Sequence, residues 1–353
     1  LKRRAAMLRS IALGVLAALL AGDACAQAPS PAPPMVEIAS YAGADRTQRL
    51  VAGAKKEGAL TLYSSGTIED TSAITYAFEK THGVPVRLWR GSSEDILRRA
   101  MTEARGSRYE VDVAETAGPE MDALTREKLM QAIASPVYAE LIPQAIDPRR
   151  PWAMSRLSVF VAGINTNLIK AADAPKGYED LTDPKWKGKL GIEADDVGWF
   201  LTVLGAMGEA KGTKLFREIV ARNGVSVRKG HTLLANLVAA GEVPLALTVY
   251  GYRVEAMKRA GAPIAGVTLP PAVALPTGIA AFRRAPHPHA AVLFVDFFLS
   301  EGQRILAERG NVPTNARVKA PPPDLALIDG ARLLDEGDKW SRLFQDVFAA
   351  QGR

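Results

Sequence analysis

Cysteine is almost absent from this 353-residue chain; the single one is Cys25. A disulfide framework and thiol chemistry in the body of the protein are thereby excluded. Charge of one sign is not in excess either. Residues 1–26 carry Lys2, Arg3, Arg4 and Arg9 against Asp23, and removing these from the totals of 44 and 38 leaves 40 basic and 37 acidic residues. So mild and evenly spread a balance points to no nucleic-acid partner. Long hydrophobic runs reduce to one, Ile11 to Ala21, which is short of the ~20 residues a bilayer requires. Catalytic signatures are missing as well. His82, His231, His287 and His289 form no H-E-x-x-H, and there is no G-x-S-x-G, Walker A or G-x-G-x-x-G motif. The expectation is a protein that is not an enzyme, needs no cofactor and does not insert in a membrane.

The basic n-region, the apolar core and Ala24-Cys25-Ala26 together read as a cleavable secretory signal peptide over residues 1–26. A proline-rich leader over residues 27–35 follows and acts as a spacer. Export to the periplasm is the localisation this implies.

Beyond the leader, strand-like and helix-like runs alternate. Ala59 to Tyr63, Val84 to Trp89 and Val111 to Ala114 read as strands, each followed by a small-residue loop and an amphipathic helix. Repeated strand–loop–helix units imply a mostly parallel, doubly wound α/β sheet. The second half repeats the style, with strands at Lys189 to Glu193 and Val243 to Tyr250. Arg156 to Gly163 and Gly278 to Phe282 read as strands that cross between two units, a first at about 36–156 and an inserted one at about 157–279.

Ligands of open α/β sheets sit beyond the carboxyl ends of the strands. Here those ends carry Ser64-Ser65-Gly66-Thr67, Ser92-Ser93, Thr116 and Gly230-His231-Thr232. Thr67 and Ser92 each stand three residues before an acid, the spacing of a helix cap. Backbone N–H groups at helix starts suit anions, although an ordinary cap needs no ligand. Tyr250 and Tyr252 flank Gly251 and share one side of an extended segment. Their phenols fit Fe(III), ligand stacking, hydrogen bonding or plain edge packing. Arg90, Arg228 and Arg253 lie near element ends as candidate anion clamps. Trp199 opens a helix and either walls the cleft or packs in the core. Asp195-Asp196 read as solvated loop acids, and His287 and His289 as exposed turn residues.

Leu62-Tyr63-Ser64-Ser65, Arg90-Gly91-Ser92-Ser93, Asp180 to Lys189 and Ala285-Pro286-His287-Pro288-His289-Ala290-Ala291 running into Phe297-Phe298-Leu299-Ser300 occur in that order. In this the chain resembles the type II periplasmic solute-binding proteins of ABC importers, in the ferric-iron-binding-protein-like branch, over residues 55–320. The resemblance implies two α/β lobes joined by two crossing hinge strands. Lobe one would take 36–156 plus about 280–330, and lobe two 157–279 plus about 331–353. It also implies a monomer that closes over one solute and delivers it to a permease, without chemistry. Iron-binding relatives use adjacent tyrosines where this chain has Tyr250 and Tyr252 split by Gly251. The sequence therefore favours a small anion (phosphonate, phosphate ester or carboxylate) held by Ser64, Ser65, Gly66, Ser92, Ser93, Thr116, Trp199, His231, Thr232, Tyr250 and Tyr252. The alternative is Fe3+ on Tyr250 and Tyr252, with or without a synergistic anion.

Overall fold

The computed structural model describes residues 34–322 and 324–348. The expected signal peptide and all but the last two residues of the leader lie outside them. Two helices, α1 (Met35–Ser40) and α2 (Arg46–Glu57), lead into three strand–helix units. These are β1 (Leu60–Ser64) with α3 (Ile68–His82), β2 (Val86–Arg90) with α4 (Ser93–Arg105), and β3 (Val113–Ala117) with α5 (Gly118–Arg126). β1 pairs in parallel with β2 on one side and β3 on the other. Local signals set the helix ends. The Thr67 side chain accepts from Asp70 N, and Ser92 and Asp95 form a reciprocal capping box. Gly83 ends α3 at φ 70°, a left-handed cap that a side chain would strain.

After β4 (Met130–Gln131), the thirteen-residue β5 (Ala153–Asn165) leads to a second set. It comprises β6 (Leu190–Glu193), α6 (Val197–Met207), α7 (Glu209–Asn223), β7 (Val225–Arg228), α8 (His231–Ala240), β8 (Leu245–Tyr250), α9 (Gly251–Arg259) and β9 (Ile264–Val267). β6 is parallel to both β7 and β8. The chain returns through β10 (Val273–Phe282) to α10 (Pro288–Leu299), α11 (Glu301–Glu308), β11 (Val312–Pro313), β12 (Ala326–Leu327) and the long α12 (Gly330–Phe348).

β5 and β10 join the two sets, as the crossing pattern predicts. The first half of β5 pairs antiparallel with β10 and β11, and its second half with β8 and β9. β10 runs on to pair antiparallel with β3. Two large hydrophobic cores and a smaller third result. Leu60, Leu62, Phe78, Phe294 and Phe298 belong to the first; Trp199, Phe200, Phe216, Phe344 and Phe348 to the second; Leu234, Val238 and Val254 to the small one beside β8. α10 is buried almost all round, which explains its long apolar run, and the one acid that interrupts it, Asp296, meets Arg46 of α2. α12 belongs to the second core through Trp340, Phe344 and Phe348, yet its start packs on α5 of the first lobe. Gly330 lies so close to Pro119 and Asp122 that a Cβ would come within 2.9 Å of Pro119. The chain thus passes between the lobes a third time, at residues 325–330.

Candidate functional site

Each lobe ends three parallel strands toward the other, and each strand end leads directly into a helix or a short loop before one. Tyr252 of the second lobe lies within electrostatic reach of Arg90 and Asp70 of the first and of Arg156 on β5. Tyr250 is within reach of Glu120, at the start of α5. These are the walls of the cleft.

Most polar groups of the first-lobe wall are paired within the chain. Ser64 is fully buried; its hydroxyl donates to Glu115 Oε2 at 2.6 Å and accepts from Gly66 N at 3.0 Å. Glu115, 1% exposed, faces Arg156 Nη2 at 3.1 Å. Arg90 Nε donates to the Gly66 carbonyl at 3.2 Å. Ser93 Oγ accepts from Ala117 N at 3.3 Å. Glu120 is the exception. Burial, with Glu94 nearby, pushes its carboxyl up to about 7.

The second-lobe wall is aromatic and acidic. β8 ends at Tyr250, which caps α9 with extended backbone, so Tyr252 lies on the first turn of that helix. Their rings stack nearly parallel, 12° apart in plane, with centroids 5.6 Å apart. On its other side Tyr250 meets His231 at 4.2 Å and Phe160 at 4.9 Å. His231 Nε2 faces Asp196 Oδ1 at 3.3 Å. Glu193, at the end of β6, accepts backbone N–H bonds from Gly230 (2.8 Å) and Asp195 (2.6 Å). Burial raises the Glu193 carboxyl, and Asp196 adds to the rise. Burial draws the His231 imidazole down, but Asp196 and Glu193 more than offset this, and its net shift is upward. Tyr250 is pushed well above the ordinary phenol range, by burial first and then by Asp196, Tyr252, Glu193 and Glu120. Tyr252 also rises through burial, while Arg156, Arg253 and Arg90 oppose the rise.

The residues expected from sequence divide accordingly. The structure brings His231, Tyr250 and Tyr252 together, and places Ser65, Gly66 and Ser93 at the facing strand ends. Trp199 does not wall the cleft. It is 1% exposed and sits edge-on to Tyr178 and Phe216 in the second core. Thr116 lies inside β3, not in a loop beyond it, with its hydroxyl buried and unpartnered. The strand starts two residues later than expected and ends three later; the later end follows from Arg156, which neutralises Glu115, a poor strand residue by itself. The Ser64 hydroxyl is spent on Glu115, and Ser92 is an exposed cap. Thr232 is exposed. Arg228 is also exposed and donates to the carbonyl of its neighbour Val227. Asp196 is not solvated; it is 6% exposed. His287 and His289 are held by Asp112 and Glu57 at 2.9 and 2.7 Å. Sequence reasoning missed Glu193, Asp196, Glu120, Arg156 and Phe160 as site residues. The strand-end rule that selected Tyr250 applies equally to Glu193.

The sequence profile of the bacterial extracellular solute-binding proteins matches residues 118–334, more than half of the chain. The chain is 24% identical over 270 residues to iron uptake protein A1 of Synechocystis, covering 70% of this chain and 73% of that protein. Among solved structures, iron-bound HitA from Pseudomonas aeruginosa superposes with a TM-score of 0.70 at 23% identity, over 82% of this chain and 99% of that one. AfuA from Actinobacillus pleuropneumoniae, with fructose-6-phosphate bound, gives 0.68 at 23% identity, over 83% and 99%. At such identities the structural likeness speaks for the two-lobe type II fold. Among the described residues no helix is long and apolar enough to cross a membrane. With the profile match, the fold and the cleft in agreement, this chain belongs to the family of bacterial extracellular solute-binding proteins.

Proposed function

We propose that the chain is the periplasmic binding component of an ABC importer and that its cargo is Fe3+ taken together with a small anion. The observation that carries this reading is the division of charge across the two phenols. Tyr250 is surrounded by Asp196, Glu193 and Glu120, and Tyr252 by Arg156, Arg253 and Arg90. Hard Fe(III) seeks anionic oxygens, and the fold brings three acids, all distant from it in sequence, toward Tyr250. The arginine side suits the charge of an accompanying anion. The similarity to iron uptake protein A1 and to iron-bound HitA supports the metal half.

In this reading the second lobe offers Tyr250 and Tyr252 as ligands, the nearby carboxylates set the charge around them, and the first lobe completes the site on closure. Contacts available only in the closed form draw a pre-existing equilibrium toward it. Both phenols must lose their protons to ligate the ion, so loading releases protons and acid favours release. The protein works as a monomer that hands its solute to a permease. Protein purified from the periplasm without refolding should carry stoichiometric iron and a visible phenolate-to-Fe(III) band.

A second reading keeps the anion and drops the metal. Buried Nε atoms of Arg156 and Arg253 have no hydrogen-bond partner, and AfuA was crystallised with a sugar phosphate bound. A bound organic mass with no metal in the same purified sample would select this reading.

A further inference from the structure

Glu193, Asp196 and His231 each offer one ligand atom within 4.8 Å of the other two, the one such cluster found among the described residues. We propose that these three side chains form a divalent-cation site, separate from the phenols, suited to a borderline ion such as Zn2+.

The spacing fits. Asp196 Oδ1 and His231 Nε2 are 3.3 Å apart, the separation that two metal bonds of ~2.0–2.2 Å subtend at about 105°. The charges fit as well. Two buried carboxylates face a single imidazole, and a neutral imidazole with a divalent ion balances them. If His231 were only an imidazolium paired with Asp196, one carboxylate charge would remain uncompensated in a buried place. An independent sign is Asp196 Oδ2, which is buried and has no partner on a residue that is 6% exposed. An acceptor left in that state is costly, and a cation supplies what the chain does not.

The surroundings are those of a built site. Each Glu193 oxygen takes one backbone N–H, which fixes the carboxylate and leaves a lone pair on each oxygen for an ion. The His231 ring is held by packing on Tyr250 and Phe160, with Nε2 toward Asp196 and the buried Nδ1 without a hydrogen-bond partner. All three ligands lie at rigid positions: the end of β6, the residue before α6 and the first residue of α8. A mixed nitrogen–oxygen set favours Zn2+ over the hard ion proposed for the phenols.

The proposal holds whether the cargo is iron or an organic anion, and its test separates the two. The full-length protein, stripped with a chelator, is titrated with Zn2+ against a chromophoric competitor, and Fe3+ is followed in parallel by the visible band. One Zn2+ per chain is expected, bound at about 10 µM or tighter. Asp196→Asn and His231→Gln should each weaken it by at least about tenfold, while Tyr252→Phe leaves Zn2+ affinity unchanged. Loss of the ferric band in Tyr252→Phe with Zn2+ retained would show that the two sites are separate. X-ray absorption of the wild-type Zn2+ protein, which does not depend on any variant folding, should show one imidazole and otherwise oxygen ligands. Absence of stoichiometric Zn2+, unchanged affinity in the Asp196→Asn/His231→Gln double variant, or a spectrum without imidazole would each overturn the proposal.

Discussion

Both lobes bury acid at their strand ends, and they treat it differently. In the first lobe Glu115 is answered from within the chain, by Arg156 on one oxygen and the Ser64 hydroxyl on the other. In the second lobe Glu193 has two backbone N–H groups and Asp196 one histidine, and among the described residues no arginine or lysine pairs with either. A buried charge without a counter-ion is costly, so the first arrangement is that of a scaffold and the second that of a receptor. Tyr250 stands against the deficient side and Tyr252 against the arginines. The two phenols, one residue apart from Gly251 on either side, thus report two opposite environments.

The sharpest way to break this comparison is Tyr250→Phe. Outer partners of a metal ligand are worth about 10–100-fold in affinity, so loss of a primary ligand should cost more than about 100-fold in Fe3+ affinity and abolish much of the visible band. Unchanged binding would dissolve the metal pole altogether. Next comes Arg156→Met, which strands Glu115 in the interior. Removing one partner of a buried pair costs about 3–5 kcal/mol, read by urea unfolding, and the Glu115→Gln/Arg156→Met double variant should recover most of it. Asp196→Asn, by contrast, should move the stability of metal-free protein by under about 1 kcal/mol, because it sheds a charge that has little compensation. If Asp196→Asn proved as costly as Arg156→Met, the scaffold and receptor distinction would fall.

Acidity supplies the third probe. Burial keeps Tyr250 protonated far above neutrality in the free protein, so ferric loading must release its proton. Affinity measured between pH 8 and pH 5 should fall by about tenfold per pH unit for each proton released. A flat profile would remove the phenols from the metal site.

The smallest effect concerns Glu120. Its carboxyl is raised from 4.5 to about 7 in the folded chain, so protonation is favoured by folding. Below pH 4.5 the acid is protonated in both states and costs nothing. The cost grows as pH rises and is complete above about 7. Glu120→Gln should therefore raise the melting temperature by about 3 °C at pH 8 and leave it unmoved at pH 4. An equal shift at both values would mean that the residue acts by packing, not by charge.

Much of the fold was legible because it is written locally. Alternating strand and helix patterns, the Thr67 and Ser92 caps and the apolar run of α10 each follow from neighbours within a few residues. The candidate site was legible only in part. Asp195 and Asp196 are chemically identical neighbours, yet Asp195 is exposed and Asp196 is 6% exposed beside His231. Nothing local separates them; the difference arises when α8 docks, 35 residues later. Glu115 reads as the end of a strand because charge is disfavoured inside one, and only Arg156, 41 residues on, cancels that penalty. Trp199 fails in the opposite direction: its position at a helix start suggested the cleft, but Tyr178 and Phe216 enclose it.

The third passage of the chain between the lobes has a mechanical consequence. Two strands side by side permit both bending and twisting of the bodies they join. A further connection at residues 325–330, with α12 rooted in the second core and Gly330 against Pro119, removes one of these freedoms. Gly330, packed against Pro119 and Asp122, is where that extra connection is tightest. A side chain there would push on the start of α5, and through Pro119 on Glu120, so a change at this distant connection would be felt in the cleft wall.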